Sequence, residues 1–162
     1  MNSIELAKFR AKFPILAEKV NAKPLVYFDN GATTQKPEIV INTEKQYYQQ
    51  FNANVHRAAH QLSAQATSAF ELARTKVQQF IHAKHAHEII WTKGTTESIN
   101  LVAQSWGNKN LTSGDEIVLS YAEHHANIVP WQMIAEQTGA KVNVLELDDS
   151  GKIDDKKIAS MI

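Results

Sequence analysis

"TKGTTESINLVAQSWG", residues 92–107, and "GDEIVLS", residues 114–120, decide the fold class. The first holds a helical apolar pattern over Thr96–Trp106 that starts directly behind a strand-like run, Glu88–Thr92. A turn signal at Ser113-Gly114-Asp115 separates that helix from a second strand, Glu116–Ser120. Further on, Asn127–Thr138 reads as a helix, Gly139 as its stop and Val142–Leu147 as a third strand. Strand and helix alternate in order, which argues for an α/β sheet with crossover helices.

Upstream the pattern is mostly helical. Asn2 or Ser3 caps a short helix with Leu6, Phe9 and Phe13 on one side, and Pro14 ends it. Lys23-Pro24 leads into a brief strand, Leu25–Phe28, and a turn at Asp29-Asn30-Gly31. Pro37 opens a second helix through Val40, Glu44, Tyr47, Tyr48 and Phe51. Ser63–Ile81 forms a third, with Ala66, Phe70, Ala73, Val77, Phe80 and Ile81 at helical spacing. Residues 1–62 read as an N-terminal arm and 63–162 as the first part of a larger domain. Asp148-Asp149-Ser150-Gly151 reads as a turn, and a helix is expected over 154–162. With three strands of a sheet written and the chain stopping on Met161-Ile162, the expectation is a truncated domain.

Composition narrows the function classes. Hydrophobic residues make up 43% of the 162 and charged residues 21%, enough apolar material for a core. Basic and acidic residues balance at 17 each, so no global field favours nucleic acid or a membrane surface. The absence of cysteine excludes disulfides, thiolate metal sites and a thiol nucleophile in this chain. No apolar run approaches a membrane span. The N-terminus carries Glu5 and no signal-like apolar region, so a cytoplasmic protein is expected.

Three strand- or helix-flanking segments carry the candidate chemistry. At Gly94-Thr95-Thr96 a helix begins, where free N–H groups and the helix dipole favour an anion; glycine permits close approach and the hydroxyls add donors. The same residues also suit a plain N-cap at Thr95 or Thr96, and the residues alone leave both readings open. Neither a Walker loop nor G-x-G-x-x-G is present. The second segment, Tyr121–Asn127, follows a strand and places His124 where open α/β sheets bind ligands; an imidazole there can lie on a heteroaromatic ring. The third, Asn54–His60, carries Arg57, one of three arginines, suited to bidentate carboxylate binding. His82, His85 and His87, and the pair His56 and His60, are closely spaced. Without H-E-x-x-H, cysteine or paired carboxylates they read as polar connections, and no metal is expected.

In order along the chain stand "YFDNGATTQKP", "NVHRAAHQLSAQAT", "TKGTTESINLVAQSWG", "GDEIVLS" and "EHHANIVPW". Together they closely resemble the N-terminal part of Suf-type cysteine desulfurases, in the class V aminotransferase group of fold-type I enzymes that use pyridoxal 5′-phosphate. The resemblance covers the chain from about Lys12 onward. It implies a partial fold-type I transferase: an N-terminal helical arm followed by the start of a βαβαβ large domain. It also implies removal of sulfur from L-cysteine, giving L-alanine and a persulfide for iron–sulfur assembly through a sulfur-acceptor protein, by a homodimer.

By the same resemblance, Gly94, Thr95 and Thr96 receive the cofactor phosphate and His124 stacks on its ring. Gly31, Ala32, His56 and Arg57 line the substrate side, and Lys93 and Glu97 approach the partner subunit's active site. Gly31 departs from the family, in which many relatives carry alanine or serine. The lysine that binds the cofactor covalently and the persulfide-forming cysteine belong to the later part of such enzymes, so no catalytic residue of that kind is expected here and the isolated chain is expected to be inactive. Other class V enzymes, a selenocysteine lyase or an aminotransferase, are the alternatives, along with a non-catalytic fragment.

Overall fold

In the computed structural model, which describes residues 2–153 and Ile158, Asn2 caps the first helix reciprocally. Its side chain accepts the Glu5 N–H at 2.9 Å, and the Glu5 carboxylate accepts the Asn2 N–H at 2.8 Å, the capping box that satisfies two orphan donors. This helix, α1, spans Ser3–Arg10. Pro14 begins a 3₁₀ turn, Pro14–Ala17, instead of directly ending α1. The helix expected over 154–162 lies outside the described residues, Ile158 apart. The chain divides into two compact units, residues 1–89 and 90–162.

In the first unit, β1 (Lys19–Val20) and β2 (Lys23–Pro24) form an antiparallel hairpin. Its two turn residues, Asn21 and Ala22, have φ of 52° and 63°, the double left-handed geometry that matches strand twist. Alanine gives no sequence cue for that conformation, so nothing in the residue types signals the hairpin. The strand expected at Leu25–Phe28 forms no ladder among the described residues; the Tyr27 hydroxyl instead donates to the carbonyls of Asp29 and Thr33 at 3.0 and 2.8 Å.

Helix α2 spans Glu38–Gln46, with Pro37 one position earlier than expected, as the cap, and it runs into a π-helical turn over Tyr47–Phe51. Helix α3 spans Gln61–Phe80. It starts two residues before Ser63 because His60 acts as the cap, its Nδ1 accepting the Ser63 N–H at 3.2 Å. At its other end His82 has φ of 56°. The Ala83 N–H reaches the Gln78 carbonyl at 3.0 Å and the His82 N–H reaches Gln79 at 3.2 Å, a Schellman stop with histidine where glycine is usual. The apolar residues of α2 and α3 border a cleft of about 520 Å³ lined by Val40, Tyr47, Phe51, Val55, Ala66 and Phe70.

The expected first strand of the alternating pattern differs. Ala86–Glu88 is a 3₁₀ turn and residues 89–92 carry no ladder among the described residues, because a strand is defined by a partner and hydrophobicity cannot supply one. In the second unit, α4 spans Thr95–Val102, continues through a π-helical turn, Ala103–Gly107, and ends in the short α5, Asn108–Asn110. Strand β3 (Glu116–Ser120), helix α6 (Val129–Thr138) and strand β4 (Lys141–Leu145) form a βαβ unit. The strands pair in parallel from Glu116 opposite Lys141 to Ser120 opposite Leu145.

Gly139 stops α6 with φ of 79°, its N–H on the Ala135 carbonyl at 2.9 Å. A side chain there would be strained by that φ and would press Ser113 at 3.1 Å. Among the described residues of this unit, Ala103, Leu119, Pro130, Ile134, Ala135 and Leu145 are buried and apolar, with Ile134 fully enclosed. After β4, the Asp148 carboxylate accepts N–H groups from Ser150 and Lys152 and the Ser150 hydroxyl, building the expected turn.

Candidate functional site

Gly94 is the N-cap of α4, so Thr95 and Thr96 occupy the first two helical positions and neither is the cap. Gly94 has no side chain to satisfy the first turn, and its backbone is extended (φ 162°, ψ 179°), a conformation open to any residue. A Cβ built there meets nothing within 4 Å. Packing therefore does not require glycine; its smallness leaves room in front of the helix. The neighbours of the turn are occupied elsewhere: Glu97 accepts the Lys93 N–H at 2.6 Å, and the Thr92 and Ser98 hydroxyls bond each other at 2.6 Å. The Thr95 and Thr96 hydroxyls have no partner among the described residues. The turn thus offers hydroxyls and helix-end N–H groups to an anion.

His124 follows from the carboxyl end of β3. The Tyr121 N–H still bonds the Leu145 carbonyl at 2.9 Å, and the chain then turns into His124. That residue caps a 3₁₀ turn, His125–Asn127, its Nδ1 accepting the Ala126 N–H at 3.1 Å. With Nδ1 as acceptor, the proton of the neutral ring sits on Nε2. The His125 ring stands edge-on to it, centroids 6.1 Å apart at 88°. Helix α4, which the Gly94 turn opens, packs against the His125–Asn127 turn that His124 caps, both within the second unit.

Reading the sequence did not single out the residues that fix this loop. Glu123 accepts from the Ser120 hydroxyl and from Asn127 Nδ2, both at 2.9 Å, and Asn127 Oδ1 accepts the Trp131 indole N–H at 2.9 Å. The spacing Glu123, Asn127, Trp131, four apart twice, was the available signal. The Asn127 amide, then the Ser120 hydroxyl, holds the Glu123 carboxyl below the usual carboxylate range. A carboxylate depressed on folding stabilises the folded loop above its unfolded pKa, and that contribution fades as pH falls through the folded value. The expected result is a Glu123 titration, followed by side-chain carboxyl NMR, with a midpoint below that of a reference peptide. Loss of exchange protection at the Asn127 amide should accompany it at acidic pH. In Glu123→Gln the acidic change at Asn127 should disappear; its persistence would assign the titration to another group.

In the first unit, Gly31 and Ala32 lie in a turn closed by the Ala32 and Thr33 N–H groups on the Asp29 carbonyl at 3.1 and 3.2 Å. A Cβ on Gly31 would meet nothing within 4 Å. His56 is left-handed at φ 60°. Its N–H donates to Thr67 Oγ1 at 3.1 Å, and its Nε2 bonds Glu71 Oε1 at 2.9 Å. Arg57 is exposed and has no hydrogen bond or ion pair among the described residues. The candidate residues therefore fall into two groups: Gly31, Ala32, His56 and Arg57 in the first unit, and Lys93, Gly94, Thr95, Thr96, Glu97 and His124 in the second. The His85 and His87 rings stack at 5.1 Å, and no group of three metal-ligating side chains gathers among the described residues.

The chain belongs to the aminotransferase class-V family, whose model matches residues 26–162. It is 56% identical over 149 residues to a probable cysteine desulfurase of Vibrio cholerae, covering 92% of this chain and 37% of that one. Among solved structures it resembles the cysteine desulfurase CsdA from Escherichia coli, with a TM-score of 0.77 and 45% identity, covering 96% of this chain and 38% of that chain. A more distant structure, C-DES with glycine covalently linked to its pyridoxal phosphate cofactor, has a TM-score of 0.73 at 21% identity over 94% of this chain and 37% of that one, and shares the fold. The fold expected from the motifs, the opening part of a fold-type I transferase, is the fold found. The chain spans between 22% and 39% of the length of the curated relatives it matches.

Proposed function

We propose that this chain is the opening segment of a cysteine desulfurase that uses pyridoxal 5′-phosphate to take sulfur from L-cysteine. The product would be L-alanine, with the sulfur passing as a persulfide to an acceptor protein for iron–sulfur assembly. The carrying observation is the Gly94 turn, with open space at Gly94 and two threonine hydroxyls unpartnered among the described residues, at the start of the helix that packs against the turn His124 caps. These residues fit the cofactor. Thr95 and Thr96 would hold its phosphate, and His124, its ring fixed by the Ala126 N–H, would cover its ring face. When bound, the cofactor acts as an electron sink for bonds at the substrate's α-carbon.

His56 and Arg57, with Gly31 and Ala32, line the substrate side in this reading, Arg57 receiving the cysteine carboxylate through its planar fork. Lys93 and Glu97 face the second subunit's site in a homodimer, and residues 63–162 open the large domain after an arm formed by 1–62. The chain contains no cysteine, so the sulfur-carrying thiol lies outside it, and the isolated chain is expected to bind without turnover. No helix among the described residues is long and apolar enough to cross a membrane, which accords with a cytoplasmic enzyme.

The test is a comparison of pyridoxal phosphate with pyridoxal. The phosphate contacts should favour the phosphorylated ligand by about 100-fold, the worth of two charge-assisted hydrogen bonds. Chemical-shift changes should centre on residues 94–97 and His124. Borohydride reduction and intact-mass analysis should give no stoichiometric adduct at a single lysine, and L-cysteine should yield no sulfide. Equal affinity for the two ligands would sink the phosphate site. A unique lysine adduct accompanied by sulfide release would show that this chain is an enzyme by itself.

A further inference from the structure

The loop that carries Arg57 is held by one face of α3. Ser63, Thr67 and Glu71 are spaced four apart and so project from the same side of the helix. The buried Ser63 hydroxyl donates to the Asn54 carbonyl at 2.7 Å. Thr67 Oγ1 accepts the His56 N–H, and Glu71 Oε1 accepts the ring proton of His56 Nε2. The other Glu71 oxygen pairs with Arg74 Nε at 3.2 Å. Arg74 is itself anchored: it donates through Nη1 to the Ile89 carbonyl, and its guanidinium lies 5.1 Å from the Phe70 ring centroid. The His56 ring meets the same Phe70 edge-on at 6.2 Å.

A non-glycine residue at φ 60° is conformationally costly and persists only where its surroundings over-determine it. Three contacts from α3 do so at His56, one to its N–H and two to its ring, and Ser63 holds Asn54 two residues earlier. We propose that Glu71 is a positioning residue for the loop: by bridging His56 to the anchored Arg74, it holds His56 left-handed and fixes the backbone from which the exposed Arg57 projects. Fixing that backbone in advance removes the loop's share of the entropic cost of engaging a ligand. Arg57 is the one arginine of the three without a partner role in this clamp that also lies in the loop. The proposal rests on the functional reading above only for what Arg57 receives, a substrate carboxylate. The clamp itself is a property of the ligand-free chain.

An arginine-specific protease separates the two. The chain has arginine only at positions 10, 57 and 74, so each cut is identified by fragment mass. Glu71→Ala should speed cleavage after Arg57 about fivefold, the change in open population expected from losing one partly exposed ion-pair bridge. Cleavage after Arg10 and the thermal midpoint should stay near wild type. Glu71→Gln, which keeps an acceptor for His56 but no charge for Arg74, should fall between. Thr67→Ala, which removes only the acceptor of the His56 N–H, should also speed the Arg57 cut. An unchanged Arg57 cut in Glu71→Ala would overturn the clamp. So would equal acceleration at all three arginines with a lowered midpoint, which would make Glu71 a support of the whole fold. In a separate arm, L-cysteine at saturating concentration should slow the Arg57 cut in the wild-type chain. Failure there, with the Glu71 effect intact, would remove the carboxylate role and leave the clamp.

Discussion

A Gly94→Asp variant should melt at or slightly above the wild-type temperature and yet lose about 100-fold in affinity for pyridoxal phosphate, because opposite-sign effects act on helix and ligand. Gly94 caps α4 without a side-chain hydrogen bond. An aspartate there accepts an N–H of the first turn and places negative charge at the positive end of the helix dipole, a gain of a few tenths of a kcal/mol to about 1 kcal/mol. No steric cost offsets this, since the Cβ enters open space and the backbone is extended. The same carboxylate occupies the donors that the phosphate needs. It would also repel a bound phosphate dianion, a loss of roughly 2.7 kcal/mol once screening is allowed for. Thermal melts paired with a ligand titration read both signs. A variant that gained stability and bound the cofactor as well as wild type would place the phosphate elsewhere. Gly94→Ala is the control: it adds bulk without charge, so its loss should be the smaller.

The alternation over 116–147 was legible because β3, α6 and β4 each carry their own period and stop signal; β3 appears where "EIVLS" places it and Gly139 ends α6. Glu88–Thr92 misled because an apolar run records a tendency to be covered, whereas a strand needs a hydrogen-bonded neighbour. The left-handed residues were illegible for a related reason. Asn21, Ala22, His56 and His82 all adopt φ above 50° without being glycine, and each is held there by its hydrogen bonds or pairing. At the candidate site, residue type singles out Gly94–Thr96 and His124, which stand at a helix start and as the cap of the turn after β3. Its supports were hidden: Glu71 and Glu123 look like solvated helix and loop carboxylates until their partners, Arg74 and His56 in one case and Asn127 and Ser120 in the other, are known.

The largest effect on stability is expected at Ile134. Its side chain is 0% exposed in α6, and α6 packs against β4, the π-helical turn and the His125–Asn127 turn. Ile134→Ala should therefore cost about 3 kcal/mol, transfer and cavity terms combined. All three tryptophans, Trp91, Trp106 and Trp131, lie in the second unit, so denaturant titration followed by indole fluorescence reports this loss directly. Gly107 supplies the internal check. A Cβ there would sit 3.2 Å from Ile134 Cγ2, so Gly107→Ala in the wild-type chain sets a steric penalty against the helical gain of about 1 kcal/mol that alanine brings over glycine. In the Ile134→Ala background that methyl group is gone, and the added Cβ enters the space it left. The double variant should then be more stable than the sum of the singles predicts by about 1 kcal/mol, the coupling expected of residues sharing one cavity. Strict additivity would mean that Ile134 does not fill the space beside Gly107. If the coupling appears, the His124 ring resonances should sharpen along with it, because the loop that carries His124 enters α6 through Asn127 and Trp131 and depends on that helix keeping its place.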